Sequence, residues 1–183
     1  AMTVIGLVDA YRALGDMRLL RAAIRNMEFI ENELTEGLTL FRSFKDKRSH
    51  VRGFLDDYAY MIAACSNLYQ VTLDEYWLLR AKKLLEHTIE NFYDESDGFF
   101  FYSRQDAEKL IAQRKEIFDN VIPASNSVMA QNLVRLGIIF DNADWKSMAD
   151  RILTSLSALI TSEPNYMSNW RIAQLEMKKG MGE

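Results

Sequence analysis

Two kinds of helical segment alternate along this chain, and that alternation limits the fold more than any other feature. Near 16–34, Leu20, Ile24, Met27, Ile30 and Leu34 share one face, with Arg21, Arg25, Glu28 and Glu31 opposite. Near 73–92, Trp77, Ala81, Leu84, Leu85, Ile89 and Phe92 form the same stripe, and near 143–160 it returns as Trp145, Met148, Ile152, Leu156 and Leu159. Helices with one apolar face keep the other in water. Between them, segments near 3–14, 55–71 and 126–140 read differently. Tyr58 to Cys65, and Leu133-Val134 through Ile138-Ile139-Phe140, are apolar almost all round. A helix apolar on every side is buried on every side. The order is inner, outer, inner, outer, inner, outer, then a last helix near 165–178.

The alternation is also a repeat. Leu19-Leu20-Arg21-Ala22 returns as Leu78-Leu79-Arg80-Ala81, and Ile30-Glu31-Asn32 as Ile89-Glu90-Asn91, both 59 positions later (78 − 19 and 89 − 30). Trp77, Ala81, Leu84 and Leu85 reappear as Trp145, Ala149, Ile152 and Leu153 at a spacing of 68 (145 − 77). A helical repeat of this size is a stack of α-hairpins. Short β-like stretches, Gly37 to Phe41 and Gly98 to Tyr102, follow the first two outer helices. Thr72 to Glu75 reads as a capping box, Asp141 or Asn142 as a cap, and Ser162 with Pro164 as the entry to the last helix. The expected fold is all-α: an α/α toroid, present as a partial ring of about three and a half hairpins over a single domain, 1–183. In an ordinary four-helix bundle every helix would be one-sided.

Composition narrows the function. A net charge of −4 gives no electrostatic reason to expect nucleic acid or an anionic membrane as partner. The apolar run at 58–65 is too short to span a bilayer, and a cytoplasmic location is expected. One cysteine, Cys65, and two histidines leave no Cys- or His-based metal set, and no cofactor is indicated. Cys65 reads as a small core residue and His87 as solvated on an outer helix. Phe99 to Tyr102 read as hairpin packing, with sugar stacking the sharper alternative. Lys45, Lys47, Arg48 and Arg52 read as a solvated basic loop. Polar groups that can do chemistry open the inner helices: Gly53-Phe54-Leu55-Asp56-Asp57-Tyr58, and Asp119 to Pro123 with Ser125-Asn126-Ser127. A carboxylate there serves as an acid–base group or accepts from sugar hydroxyls; equally, it serves as a helix cap.

Gly53 to Ala59, then Gly98 to Phe101, then Lys115-Glu116, Asp119 and Pro123 to Ser127 come in one order that resembles the YyaL/spermatogenesis-associated family. Its members join a thioredoxin-like domain to an (α/α)6 toroid similar to N-acylglucosamine 2-epimerases and six-hairpin glycosidases. The resemblance covers the toroid part alone, with no thioredoxin-like domain. It implies carbohydrate binding or modification, of epimerase, isomerase or glycosidase type, in a central cavity. The candidate catalytic residues are then Asp57, as acid–base, and Asp119. Candidate substrate contacts are Asp56, Tyr58, Lys115, Asn126, Ser127 and His50. The chain departs from the family at Pro123-Ala124-Ser125-Asn126-Ser127, where Pro-Ser-Gly/Ala-Asn-Ser is usual, and at Gln113-Arg114-Lys115-Glu116, where Arg-Pro-Lys-acid is usual. The other function class is a non-catalytic helical-hairpin scaffold that binds a protein partner. A homodimer is also expected, through end hairpins exposing Leu7, Ile24 and Met27, or Trp145, Met148 and Trp170.

Overall fold

The computed structural model describes residues 1–48, 50–104 and 114–180, the side chains at 47 and 48 excepted. Within them the helices fall where the two patterns put them. They are α1 (Met2–Leu14), α2 (Met17–Glu33), α3 (Leu55–Thr72), α4 (Glu75–Phe92), α5 (Ser125–Ile139), α6 (Ala143–Ser155), α7 (Ser157–Ser162) and α8 (Ser168–Lys179). The strands are two-residue pieces: β1 (Thr35–Glu36) pairs antiparallel with β2 (Thr39–Leu40), and β3 (Phe44–Lys45) with β4 (Lys47–Arg48). The chain divides into two compact units, Ala1–His87 and Thr88–Glu183.

In the first unit α1 packs on α2 and α3. Leu55 and Tyr58 to Leu68 of α3 are buried without a break, as an all-round apolar helix requires. α2 buries Leu20, Ala23 and Met27 and leaves its charged face in water. α1 differs from its expected inner character. Only Val4 and Val8 are buried, and Thr3, Gly6, Asp9 and Ala13 are exposed, because its polar and small residues fall together on one side. His87 also departs from expectation: it is half-buried, its ring 5.6 Å from that of Tyr58. Cys65 is fully buried, and burial pushes its thiol pKa up, as a core residue's would be.

In the second unit α5 packs against α6 and α8. Its residues from Ser125 to Ala130 are buried, followed by Asn132 to Val134, Leu136 and Gly137. The third outer segment is split at Leu156 into α6 and α7, where Ser155 Oγ turns back to the Ile152 carbonyl at 2.8 Å. Met27, Trp145 and Trp170, expected on open flanks, are buried instead, and Leu7, Ile24 and Met148 are half-buried. Trp170 is fixed by its indole N–H, which donates to the Ile117 carbonyl at 2.7 Å.

Helix ends are tied by short polar side chains. Asn142 caps α6 by accepting from Trp145 N–H at 3.0 Å. Thr72 does not open a capping box. Leu73 takes a left-handed conformation (φ 56°), so Thr72 closes α3 and Asp74 caps α4 through Tyr76 N–H at 3.0 Å. Pro164 opens a short 3-10 turn, Pro164–Tyr166, rather than α8 itself.

Candidate functional site: the amino-terminal ends of the inner helices

Each unit carries one polar constellation where an inner helix begins. In the first, the chain leaves β2, passes Arg42 and returns through Gly53 into α3. Gly53 N–H donates to the Leu40 carbonyl at 2.7 Å. A Cβ at Gly53 would lie 3.2 Å from those of both Asp57 and Leu40, so a larger residue would fit only if these neighbours gave by a few tenths of an ångström. Asp57 reaches back to accept from Phe54 N–H at 2.9 Å, the part an acidic third residue plays in a capping box. Asp56 accepts from Asp57 N–H at 3.0 Å.

Arg42 joins the two carboxylates. Its Nη1 lies 3.0 Å from Asp56 Oδ1 and 2.9 Å from Asp57 Oδ2, and its Nη2 lies 3.3 Å from Asp56 Oδ2. The guanidinium also sits 4.9 Å from the centre of the Phe54 ring. The side chains of Asp56 and Asp57 are 20% and 27% exposed, so both are sheltered yet open to a ligand. Burial first, and the charge of Asp56 second, push the Asp57 carboxyl above the ordinary carboxylate value, against the opposing pull of Phe54 N–H and Arg42. Such surroundings favour the protonated form of the Asp57 carboxyl. Tyr58 is fully buried, its hydroxyl accepting from Leu40 N–H at 3.1 Å. His50 is exposed in the loop before Gly53.

In the second unit Asp119 is buried and joins three segments. One oxygen accepts from Ala124 N–H and Ser127 Oγ, both at 2.8 Å, and the other from Asn169 N–H at 2.9 Å. It thereby caps α5 and α8 together. Ser127 Oγ, also fully buried, accepts from Asn169 Nδ2 at 3.0 Å. Asn126 pairs with the backbone of Phe100 as a strand neighbour would, accepting from its N–H at 2.8 Å and donating to its carbonyl at 2.9 Å. Ser125, at the shifted serine position, donates to Glu116 at 3.2 Å. Lys115 binds Asp94 and both oxygens of Asp97, the latter at 2.8 Å, with its ammonium 4.3 Å from the centre of the Phe101 ring. The Lys115 contact holds the Asp94 carboxyl down, at about 2. Phe99 and Phe100 meet Trp170 and Tyr93 edge-on, in packing rather than as an open platform. Gln113 lies outside the described residues.

Sequence reasoning singled out both helix openings but missed Arg42. It precedes the basic run that drew attention, and nothing local marks a partner fourteen residues on. Among the described residues no three His, Cys, Asp or Glu side chains converge as a metal set, and no helix is long and apolar enough to cross a membrane.

No protein-family model matches the chain. It is 26% identical over 180 residues to the uncharacterized protein B0495.5 of Caenorhabditis elegans, covering 94% of this chain and 24% of that protein. It is 31% identical over 113 residues to spermatogenesis-associated protein 20 of Rattus norvegicus, covering 61% of this chain and 14% of that protein. The chain thus spans a quarter or less of the length of the curated relatives it matches. Among solved structures it is similar to a family 76 α-mannanase of Bacteroides thetaiotaomicron, with TM-score 0.68 and 22% identity over 85% of this chain and 42% of that one. It is also similar to cellobiose 2-epimerase of Bacillus thermoamylovorans, with TM-score 0.66 and 16% identity over 83% and 41%. A third is a family 76 α-1,6-mannanase of Salegentibacter, with TM-score 0.64 and 16% identity over 84% and 44%, made inactive by replacing two consecutive aspartates and bound to α-1,6-mannotriose. These likenesses show the fold: part of an α/α toroid, shared with carbohydrate-active enzymes.

Proposed function

We propose that this toroid segment, similar to part of the spermatogenesis-associated proteins, binds a glycan at the amino-terminal end of α3, with Asp57 as its acid–base group. The pair of consecutive, sheltered carboxylates bridged by Arg42 carries this reading. Asp56 supplies the fixed negative charge that favours a proton on Asp57, and both accept from sugar hydroxyls. Arg42 bridges the two carboxylates and fixes their orientation. His50 is among the exposed groups of the same loop. In the second unit, Asp119, Asn126, Ser127 and Lys115 act by building the opening of α5 and the hairpin before it. The consecutive aspartates whose loss inactivates the mannanase support the reading by analogy of residue type.

Calorimetric titration with mannotriose and cellobiose tests it. The expected result is saturable binding that falls at least about tenfold in Asp57→Asn, the loss of one charge-assisted hydrogen bond. A wild-type protein that binds neither sugar, or a variant that binds as well, would favour the scaffold reading, which the closed hydrogen bonding of Asp119, Asn126 and Ser127 already suits.

A further inference from the structure

A cleft of about 300 Å3, with mixed polar and apolar walls, opens in the first unit between the outer helices rather than at an inner-helix end. Glu31 of α2 and Gly37 of the β1–β2 hairpin form one side; Tyr76, Leu79, Arg80 and Lys83 of α4 form the other. Tyr76, Arg80 and Lys83 fall on one face of α4 by helical spacing. Arg80 donates its Nε–H to Glu31 Oε1 at 2.9 Å, and the two side chains are only 12% and 15% exposed. Neither terminal nitrogen of that guanidinium has a hydrogen-bond partner among the described residues. The fork is therefore held by its inner nitrogen with its outer edge open, the geometry that takes an oxyanion through two parallel bonds.

Charge and shape point the same way. Two cations, Arg80 and Lys83, face one carboxylate, Glu31, so the cleft is locally positive in a chain of net charge −4. Tyr76 and Leu79 are half exposed and give the cleft an aromatic and aliphatic wall. Burial first, and the charge of Glu31 second, raise the Tyr76 phenol above its ordinary value, so it remains a neutral donor. The volume lies at the small end of ligand sites.

We propose that this cleft binds a compact organic anion, its phosphate or carboxylate on the outer edge of Arg80 beside Lys83, and its ring against Tyr76 and Leu79. The site is separate from the aspartate pair. Titration of the 15N-labelled chain with glucose 6-phosphate, glucuronate and inorganic phosphate, with glucose as the neutral control, tests it. Saturable shifts of α2 and α4 amides are expected with an anionic sugar and none with glucose; which sugar acid binds identifies the oxyanion. Arg80→Lys keeps the charge and the partner of Glu31 but loses the fork, and should weaken binding about tenfold or more. Lys83→Ala, at an exposed position, should weaken it by a smaller factor with the fold intact. Asp57→Asn should leave it unchanged, which separates this result from the glycan test. No saturable shift with any of the three anions, or undiminished affinity in both Arg80→Lys and Lys83→Ala, would overturn the proposal. Inorganic phosphate binding as tightly as glucose 6-phosphate would overturn its organic part.

Discussion

Asp57 caps a helix and carries a raised carboxyl pKa, and the two roles separate in their dependence on pH. A carboxyl whose folded pKa lies above its unfolded value favours folding fully only below the unfolded value, roughly 3.9, and loses that contribution as pH rises through the folded one. Asp57→Asn keeps an acceptor for Phe54 N–H and has no proton to lose. Its stability relative to wild type should therefore increase from pH 3 to pH 7 in urea titrations; a constant difference would mean that Asp57 ionises as freely folded as unfolded. Asp94 has the opposite sign. Held at about 2 by Lys115, it stabilises above the unfolded carboxylate value and loses that contribution between about pH 4 and 2. Lys115→Met should lower stability at pH 7 and cost much less near pH 2. An equal cost at both pH values would assign the effect to packing on Phe101.

At the scale of elements, most of the fold was legible because periodicity is local. The stripe of α2 and the all-round apolar run of α3 each declare their surroundings within one helix. Contacts made across long stretches of chain were not legible. Nothing near Asp119 announces that its second oxygen serves Asn169, fifty residues on, so a single carboxylate capping both α5 and α8 could not be read. Asp74 displaced Thr72 as a cap because of one left-handed residue, Leu73, whose branched side chain gives no hint of that conformation. The candidate site was legible as two helix openings; Arg42, which makes the first a unit, was not. Asp119→Ala leaves two backbone donors, the N–H groups of Ala124 and Asn169, without their acceptor, while Ser127 Oγ–H keeps the Ala124 carbonyl at 2.8 Å; it should cost about 2–4 kcal/mol in denaturant unfolding. Asp119→Asn, which keeps one acceptor oxygen, should recover part of it. A loss under about 1 kcal/mol for the alanine variant would make the double cap incidental.

Across the whole molecule, all three tryptophans, Trp77, Trp145 and Trp170, are at most 7% exposed, although they come from three different helices. Their emission should be that of shielded indoles and shift to the red in one step with loss of far-ultraviolet helical signal. Red-shifted emission in the native state would contradict this packing. The same burial takes Met27, Trp145 and Trp170 out of the flanks expected to drive self-association, while Met2, Met17 and Phe29 at one end and Ile172 and Leu175 at the other stay exposed. With Met27, Trp145 and Trp170 covered, sedimentation at micromolar concentration should give the mass of a single 21.2 kDa chain. A dimer would have to use other surfaces, such as the exposed Leu14, Leu73 or Val121.

The Lys115 clamp has a consequence for how this chain tolerates change. Tyr102 N–H meets the Arg114 carbonyl at 2.8 Å, and one residue further Lys115 is locked onto Asp94 and Asp97. The turn that carries Asp94 and Asp97 and the approach to α5 are thereby fastened to each other without a covalent bond. Because this fastener is ionic, salt screens it: rising ionic strength loosens the hold of Lys115 on its two aspartates, and the stability gap between the wild-type chain and Lys115→Met narrows with it.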